Sequence, residues 1–149
     1  MSPTRHKTLM STLRAKLEQA KVARLATLDE QRGPHIVPIC FAYDGNVFYT
    51  AIDQKPKRVT PERLARMRNI TANPQVALLI DEYKEDWTQL WYILIRGQAK
   101  VIPVRGGKER ARAMRKLRAK YPQYSEKVLP NDAPIIRITP ERTTFWGKI

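Results

Sequence analysis

Between residues 22 and 52 three β-strand segments follow one another with only turns to join them. Residues 22–28, 35–43 and 46–52 are rich in β-branched and aromatic side chains, which pack well on a pleated surface. They are separated by Asp29-Glu30-Gln31-Arg32-Gly33-Pro34 and by Asp44-Gly45, which carry the Asp, Gly and Pro that tight turns need. Parallel neighbours need a crossover connection of a dozen or more residues, usually a helix. None fits here, so these strands are expected to pair antiparallel as a three-strand meander, and a parallel βαβ arrangement fits poorly.

The flanking segments add helices and more strands. Leu9, Leu13 and Leu17 recur at i, i+4 and i+8 and predict a helix over residues 8–20. Pro61 suits a first helical position, and Asn73-Pro74 ends that second helix after residue 71. On it Leu64, Met67 and Ile70 face one way, with Arg63, Arg66 and Arg68 on other faces. Residues 75–81 read as a nearly all-apolar strand buried on both faces, and residues 82–90 as a polar excursion. Residues 91–104 read as a long strand interrupted at Gly97, where a bulge is expected. A third helix spans 105–121, opened by Gly106-Gly107, with Ala111, Met114, Leu117 and Tyr121 toward the core. Two last strands, 134–139 and 143–146, are split by Pro140-Glu141. The expectation is an α+β fold: one domain over residues 1–149, an antiparallel sheet closed into a small barrel with three peripheral helices.

Charge narrows the partners. Lys and Arg total 28 against 14 Asp and Glu, a formal net charge of +14. Such a chain favours anions, whether nucleic acid, acidic lipid or a phosphorylated ligand. One cysteine, Cys40, and two histidines, His6 and His35, leave no disulfide framework and no Cys- or His-based metal site, so no metal is expected. Cys40 reads as a small buried hydrophobe. No apolar run approaches the roughly 18 residues of a membrane span, and the first turns are charged throughout with no apolar signal core. A cytoplasmic protein is expected.

Lys55, Lys57 and Arg58 surround Pro56 in the loop after the third strand. Phosphate binding needs such converging donors: arginine supplies a planar fork and lysine a point charge. Thr50 on the preceding strand could add a hydroxyl, and the helix start at Thr60-Pro61-Glu62 its dipole. Taken alone, the same residues also fit a solvated turn. Residues 105–120 carry Arg105, Lys108, Arg110, Arg112, Arg115, Lys116, Arg118 and Lys120, which fits either a nucleic-acid footprint or an amphipathic helix with a basic outer face. No aromatic residues interleave them as a base-stacking platform, and no helix-turn-helix, RNA-recognition or zinc-finger pattern is present, so nucleic acid is not the expected partner. Gly106-Gly107-Lys108 is only half of a phosphate loop. Asp81, Glu82, Glu85 and Asp86 fit a solvated loop better than acid–base or metal chemistry. No Ser-His-Asp or Cys-His constellation is present, and no single side chain stands out as catalytic.

The run Gly33-Pro34-His35-Ile36-Val37-Pro38-Ile39-Cys40-Phe41, then Val47-Phe48-Tyr49-Thr50, Lys55-Pro56-Lys57-Arg58, Asn73-Pro74 and Ile95-Arg96-Gly97-Gln98-Ala99, resembles the pyridoxamine 5′-phosphate oxidase-like FMN-binding split-barrel family. The helix after the basic loop and the segment from Asp81 to Trp87, with Trp91, look more like its deazaflavin (coenzyme F420)-dependent branch. The resemblance implies a homodimer with coenzyme F420 or FMN at the subunit interface. Lys55, Lys57 and Arg58 would grip its phosphate with Thr50 beside them. Val37, Pro38 and Ile39 would line the ring, and Trp87, Trp146 and Lys148 would come from the partner chain. It implies hydride transfer to a small unsaturated substrate. The Arg-x-His pair that serves the pyridoxal substrate in the oxidase proper has no counterpart in Pro140-Glu141-Arg142-Thr143-Thr144-Phe145-Trp146, which speaks against pyridoxamine phosphate oxidase activity. FMN binding without that activity, or a non-catalytic flavin, tetrapyrrole or nucleic-acid module, are the alternatives.

Overall fold

The structure, a computed structural model, describes residues 3–53, 61–105 and 107–149. In chain order these form α1 (Pro3–Gln19), β1 (Ala23–Asp29), β2 (Gly33–Ile39), β3 (Ala42–Tyr43), β4 (Phe48–Ala51), α2 (Pro61–Ala72), β5 (Gln75–Glu82), a 3-10 turn (Trp87–Gln89), β6 (Trp91–Ile102), α3 (Gly107–Lys120) and β7 (Ile135–Gly147). All seven strands belong to one antiparallel sheet in the order β2-β1-β5-β6-β7-β4-β3. Among the described residues, no helix is long and apolar enough to cross a membrane.

The sheet order closes the barrel. β2 and β3 stand at opposite ends of the order, yet only Cys40 and Phe41 lie between them in sequence. Three Cα steps span about 10 Å at most, so the two edges of the sheet must curl toward each other. This corrects the expected meander. The segment expected as one strand over 35–43 breaks at Cys40-Phe41, and its halves pair with different neighbours, β2 with β1 and β3 with β4.

The turns follow from local chemistry. Asp29 Oδ1 accepts from the backbone N–H of Gln31 (2.9 Å) and Arg32 (3.1 Å), and Asp44 Oδ1 accepts from those of Asn46 and Val47 (both 2.9 Å). Such Asx turns reverse the chain without help from the sheet. Gly45 sits at φ +98°, where a side chain would be strained.

Met10, Leu13 and Leu17 of α1 pack into the barrel with Leu25, Leu78, Ile80, Ile93, Ile95 and Phe41. A second cluster lies under α3, where Tyr49, Ile102 and Ile135 meet Ala113, Leu117 and Leu129. In β5 only Val76, Leu78 and Ile80 are buried, while Ala77 and Leu79 are half-buried, so one face is packed and the other partly open. A continuous apolar run cannot tell these cases apart.

The last two expected strands are one. Gly97 pairs with Pro140 and Arg96 with Arg142, leaving Glu141 as the extra residue of a bulge. A bulge removes the ladder hydrogen bond that proline cannot make, so Pro140 interrupts the register without ending the strand. A Cβ at Gly97 would stand 2.1 Å from Thr139 O, which is why this close crossing needs glycine.

Candidate functional site

β4 delivers the chain to the basic loop and is pinned as it leaves the sheet. Thr50 is 1% exposed, and its hydroxyl donates to Cys40 O at 2.7 Å. Ile52 N–H donates to Pro134 O at 2.9 Å. Asp53, buried, accepts through Oδ2 from the Tyr124 hydroxyl at 2.5 Å. Three successive contacts therefore fix the strand end against the β2–β3 link and the segment after α3. Lys55, Lys57 and Arg58 follow at once, and they lie outside the described residues.

The segment behind this strand end is held by the basic helix. Arg110 falls on the buried side of α3 with Ala113, Met114 and Leu117, whereas Ala111 is exposed, which corrects the expected stripe. Its Nη2 donates to Asn131 O and, at 2.8 Å, to Ala133 O. Arg118 Nη2 donates to Leu129 O (2.8 Å) and Asn131 Oδ1 (3.0 Å). Two of the eight cations therefore tie down residues 129–133 from inside. On α2 the same correction applies to Arg66, which is buried beside Asn69 and Ile70, and Asn69 Nδ2 donates to Thr27 Oγ1 at 2.9 Å. An arginine on an apolar stripe is easily passed over in the sequence, because its aliphatic stem can pack in the core while its head finds polar partners, as Arg110 does at the Asn131 and Ala133 carbonyls.

Aromatic hydroxyls and one amine complete the wall. Tyr121 OH accepts from Phe41 N–H (3.0 Å) and lies 2.8 Å from Lys21 O, to which it donates. Burial pushes its pKa up to about 12. Lys120 Nζ lies 3.8 Å from the centroid of the Phe41 ring. Burial there, with Lys21 nearby, lowers its pKa to about 8. Burial and the Asp53 carboxylate raise Tyr124, whose proton is thereby kept on the hydroxyl that holds Asp53.

The residues assigned to the cofactor ring fall into two groups. Val37 is half-buried, Pro38 exposed and Ile39 5% exposed, at the end of β2 and next to the Cys40–Thr50 contact. Trp146 stacks on Tyr92 at 6.2 Å, Lys148 N–H donates to Leu90 O at 2.9 Å, and Trp87 projects from the 3-10 turn, 71% exposed. Thr50 pairs with Ile136 at the start of β7, whereas Trp146 lies ten residues further along that strand, roughly 33 Å at ordinary rise. The structure thus brings Val37, Pro38, Ile39 and Thr50 to one strand end and leaves Trp87, Trp146 and Lys148 apart from them.

The acidic run is structural. Asp81 and Glu82 belong to β5 rather than to a loop. Asp81 pairs with Arg24 at 2.8 Å, Glu82 accepts from Trp91 Nε1 at 2.9 Å, and Asp86 caps the 3-10 turn through Thr88 N–H and Oγ1. These bonds hold Glu82 and Asp86 below the usual carboxylate range, opposite to what a general acid needs. Among the described residues, no group of three or more His, Cys, Asp or Glu side chains could hold a metal ion. A cleft of about 500 Å3 opens on the outer sheet face, where Arg96 and Arg142 stand opposite each other beside Ala26, Leu28 and Ala77.

A family model described as pyridoxamine 5′-phosphate oxidase matches residues 9–147. Over 128 residues the chain is 29% identical to a 5a,11a-dehydrotetracycline/5a,11a-dehydrooxytetracycline reductase of Streptomyces rimosus, covering 83% of this chain and 72% of that one. Its fold is similar to that of an F420 reductase, with TM-score 0.63 and 24% identity over 88% of this chain and 94% of that one. It is also similar to a FAD-binding protein from Mesorhizobium loti, with TM-score 0.67 and 19% identity over 91% of each chain. The split antiparallel barrel, the strand end that opens onto the cationic loop and a family match over nearly the whole length agree: the chain belongs to the pyridoxamine 5′-phosphate oxidase family.

Proposed function

We propose that the chain is a flavin- or deazaflavin-dependent oxidoreductase. It binds coenzyme F420 or FMN by the phosphate and passes hydride between the cofactor ring and a small unsaturated substrate. The observation that carries this reading is the pinned end of β4, which launches Lys55, Lys57 and Arg58 from a rigid, buried root. The reductase activity named for the Streptomyces rimosus relative and the F420 reductase likeness support the oxidoreductase reading.

The described residues fit such a group. β2 is at an end of the sheet order, so alternate backbone N–H and C=O groups along its outer side have no strand partner among the described residues. They can meet the carbonyls and ring nitrogens of a flat heterocycle, while Val37 and Ile39 supply an apolar wall. Pro38 has no N–H to donate, and only its carbonyl and its ring are left to serve. The bound cofactor would supply the two-electron chemistry. Lys55, Lys57 and Arg58 would bind and orient it by charge-assisted hydrogen bonds to phosphate, with Thr50 fixing the strand beside them. The whole chain acts as one cofactor-binding domain in this reading. Trp87, Trp146 and Lys148, at the opposite end of the β6–β7 pair from Thr50 in their own chain, reach the ring from the second copy of a homodimer. Ile36 (63% exposed) and Leu28 (38% exposed), on the outer face with the Arg96–Arg142 cleft, are surface for that copy to cover.

The test is a parallel equilibrium titration of apo protein with FMN and with F420, following ring fluorescence. Micromolar or tighter binding of one of them is expected, and tighter binding of F420 leads to a screen of reducible substrates with reduced F420. Binding of neither in the micromolar range refutes the proposal.

A further inference from the structure

We propose that the hollow between α3 and Asn131 is a second anion site, which takes the phosphate group of a small ligand. The proposal goes beyond the oxidoreductase reading and does not depend on it. The hollow has a volume of about 730 Å3, and Arg110, Arg115, Arg118, Ala111, Ala119 and Asn131 stand in its wall. None of the described residues proposed for the cofactor lines it. The spacing along α3 makes the site. Arg110, Met114 and Arg118 follow at i, i+4 and i+8 in one row, and Ala111, Arg115 and Ala119 form the row beside it. Both alanines are exposed, one turn before and one turn after Arg115, so no long side chain covers the hollow there.

The charge in this wall is not neutralised. Arg110 is 6% exposed and Arg118 is half-buried. Both reach Asn131, Arg110 through Nη2 to the backbone carbonyl and Arg118 through Nη2 to Oδ1. Two guanidinium groups that start two turns apart are thus drawn toward one residue. Each keeps a buried donor nitrogen, Arg110 Nη1 and Arg118 Nε, with no acceptor among the described residues. Arg110, Arg115 and Arg118 have no ion pair there either. The neighbouring carboxylates are placed elsewhere: Glu109 holds Arg137 at 2.7 Å and accepts from the Tyr49 hydroxyl at 3.2 Å, and Asp132 is exposed and lines no part of the hollow. Converging cations repel, and a buried donor without an acceptor costs free energy, so the arrangement favours an anion. A phosphate group suits it best, because its several oxygens can take bonds from more than one planar guanidinium fork. Arg115 supplies the outer contact from the rim, and a small turn of the Arg110 and Arg118 heads gives Nη1 and Nε an acceptor. No aromatic residue lines the hollow to stack a base, which favours a small phosphate over a nucleic-acid strand.

The test is calorimetric titration with inorganic phosphate and with glycerol phosphate, at one ionic strength held with chloride. It uses the full chain carrying Lys57→Ala, which weakens phosphate binding at the proposed cofactor site, and the same chain with Arg115→Met or Ala111→Glu added. Both added changes are at exposed positions, and a thermal melt of each confirms the fold. Lys57→Ala is expected to bind at least one of the two probes in the millimolar range or tighter. Arg115→Met should raise that Kd about tenfold, the loss of one charge-assisted contact. Ala111→Glu, which sets a carboxylate in the hollow to compete for the guanidinium groups, should abolish binding. Glycerol phosphate bound as tightly as phosphate identifies a phosphomonoester as the ligand, and much weaker binding identifies free phosphate. A Kd that neither Arg115→Met nor Ala111→Glu changes overturns the inference, as does binding of neither probe. A single-stranded oligonucleotide that loses affinity in Arg115→Met while neither probe binds also overturns it, since α3 is then a nucleic-acid face.

Discussion

Replacing Arg110 by methionine tests whether the basic helix is a surface feature or a strut. Arg110 is 6% exposed, and its Nη2 serves the carbonyls of Asn131 and Ala133. Hydrogen bonds from a charged donor contribute about 1.5–3 kcal/mol each, so the two are worth about 3–6 kcal/mol in gross terms. Against this, Arg110 has no ion pair among the described residues, and taking a buried guanidinium away returns part of its desolvation cost. Methionine fills most of the volume but leaves both carbonyls without a donor. The net expectation is a loss of about 2 kcal/mol. At a urea slope of about 1–3 kcal/mol per molar, the unfolding midpoint of Arg110→Met should drop by about 1 M. Arg115, five residues further along α3 and exposed, is the control, and Arg115→Met should stay within about 0.5 kcal/mol of wild type. An Arg110→Met midpoint at or above that of wild type would show that the buried cation costs more than its two bonds return.

Two further perturbations probe the barrel and the wall of the site. Gly97→Ala places a Cβ against Thr139 O at 2.1 Å, and the atoms nearest to it are all backbone of Thr139 and Pro140 rather than a side chain that could yield. It should cost about 1–3 kcal/mol, and a melting temperature equal to wild type would mean that the bulge can open freely. Lys120 titrates near 8 when folded, below its ordinary 10.5, because it is buried against Phe41 with Lys21 close by. Between those values the unfolded chain binds the extra proton, so wild type should gain stability relative to Lys120→Met as pH rises through that window and change little below it. Urea titrations from about pH 7 to about pH 10 measure this, and a pH-independent difference would contradict the burial of the amine.

The turns and most of the extended segments were legible in the sequence because these depend on local chemistry. Asp29, Asp44 and Gly45 act within their own turns, and Gly97 marks its own bulge. What stayed hidden depends on partners distant in sequence. The break at Cys40-Phe41 reads as uninterrupted strand, since nothing local shows that β2 and β3 pair at opposite ends of the sheet order. Pro140 reads as a strand end because its effect is cancelled by the bulge facing Gly97. Arg66 and Arg110 read as surface cations because charge argues for solvent, and nothing local shows that Arg66 is buried or that the Asn131 and Ala133 carbonyls stand beside Arg110. Tyr124 gives no signal at all: it meets Asp53 only because the segment after α3 returns the chain to the end of β4. The family resemblance was legible as an ordered series of short motifs, and the fold brings Val37, Pro38, Ile39 and Thr50 of those motifs together.

The most direct measurement is the affinity of Lys57→Ala for FMN and for F420 beside that of wild type, in one buffer of fixed ionic strength. One charge-assisted contact to phosphate is worth about 1.5–3 kcal/mol, so Kd for the cofactor that wild type prefers should rise at least about tenfold. The melting temperature should stay near that of wild type. A Kd within about twofold of wild type would contradict the claim that the loop after β4 holds the cofactor by its phosphate.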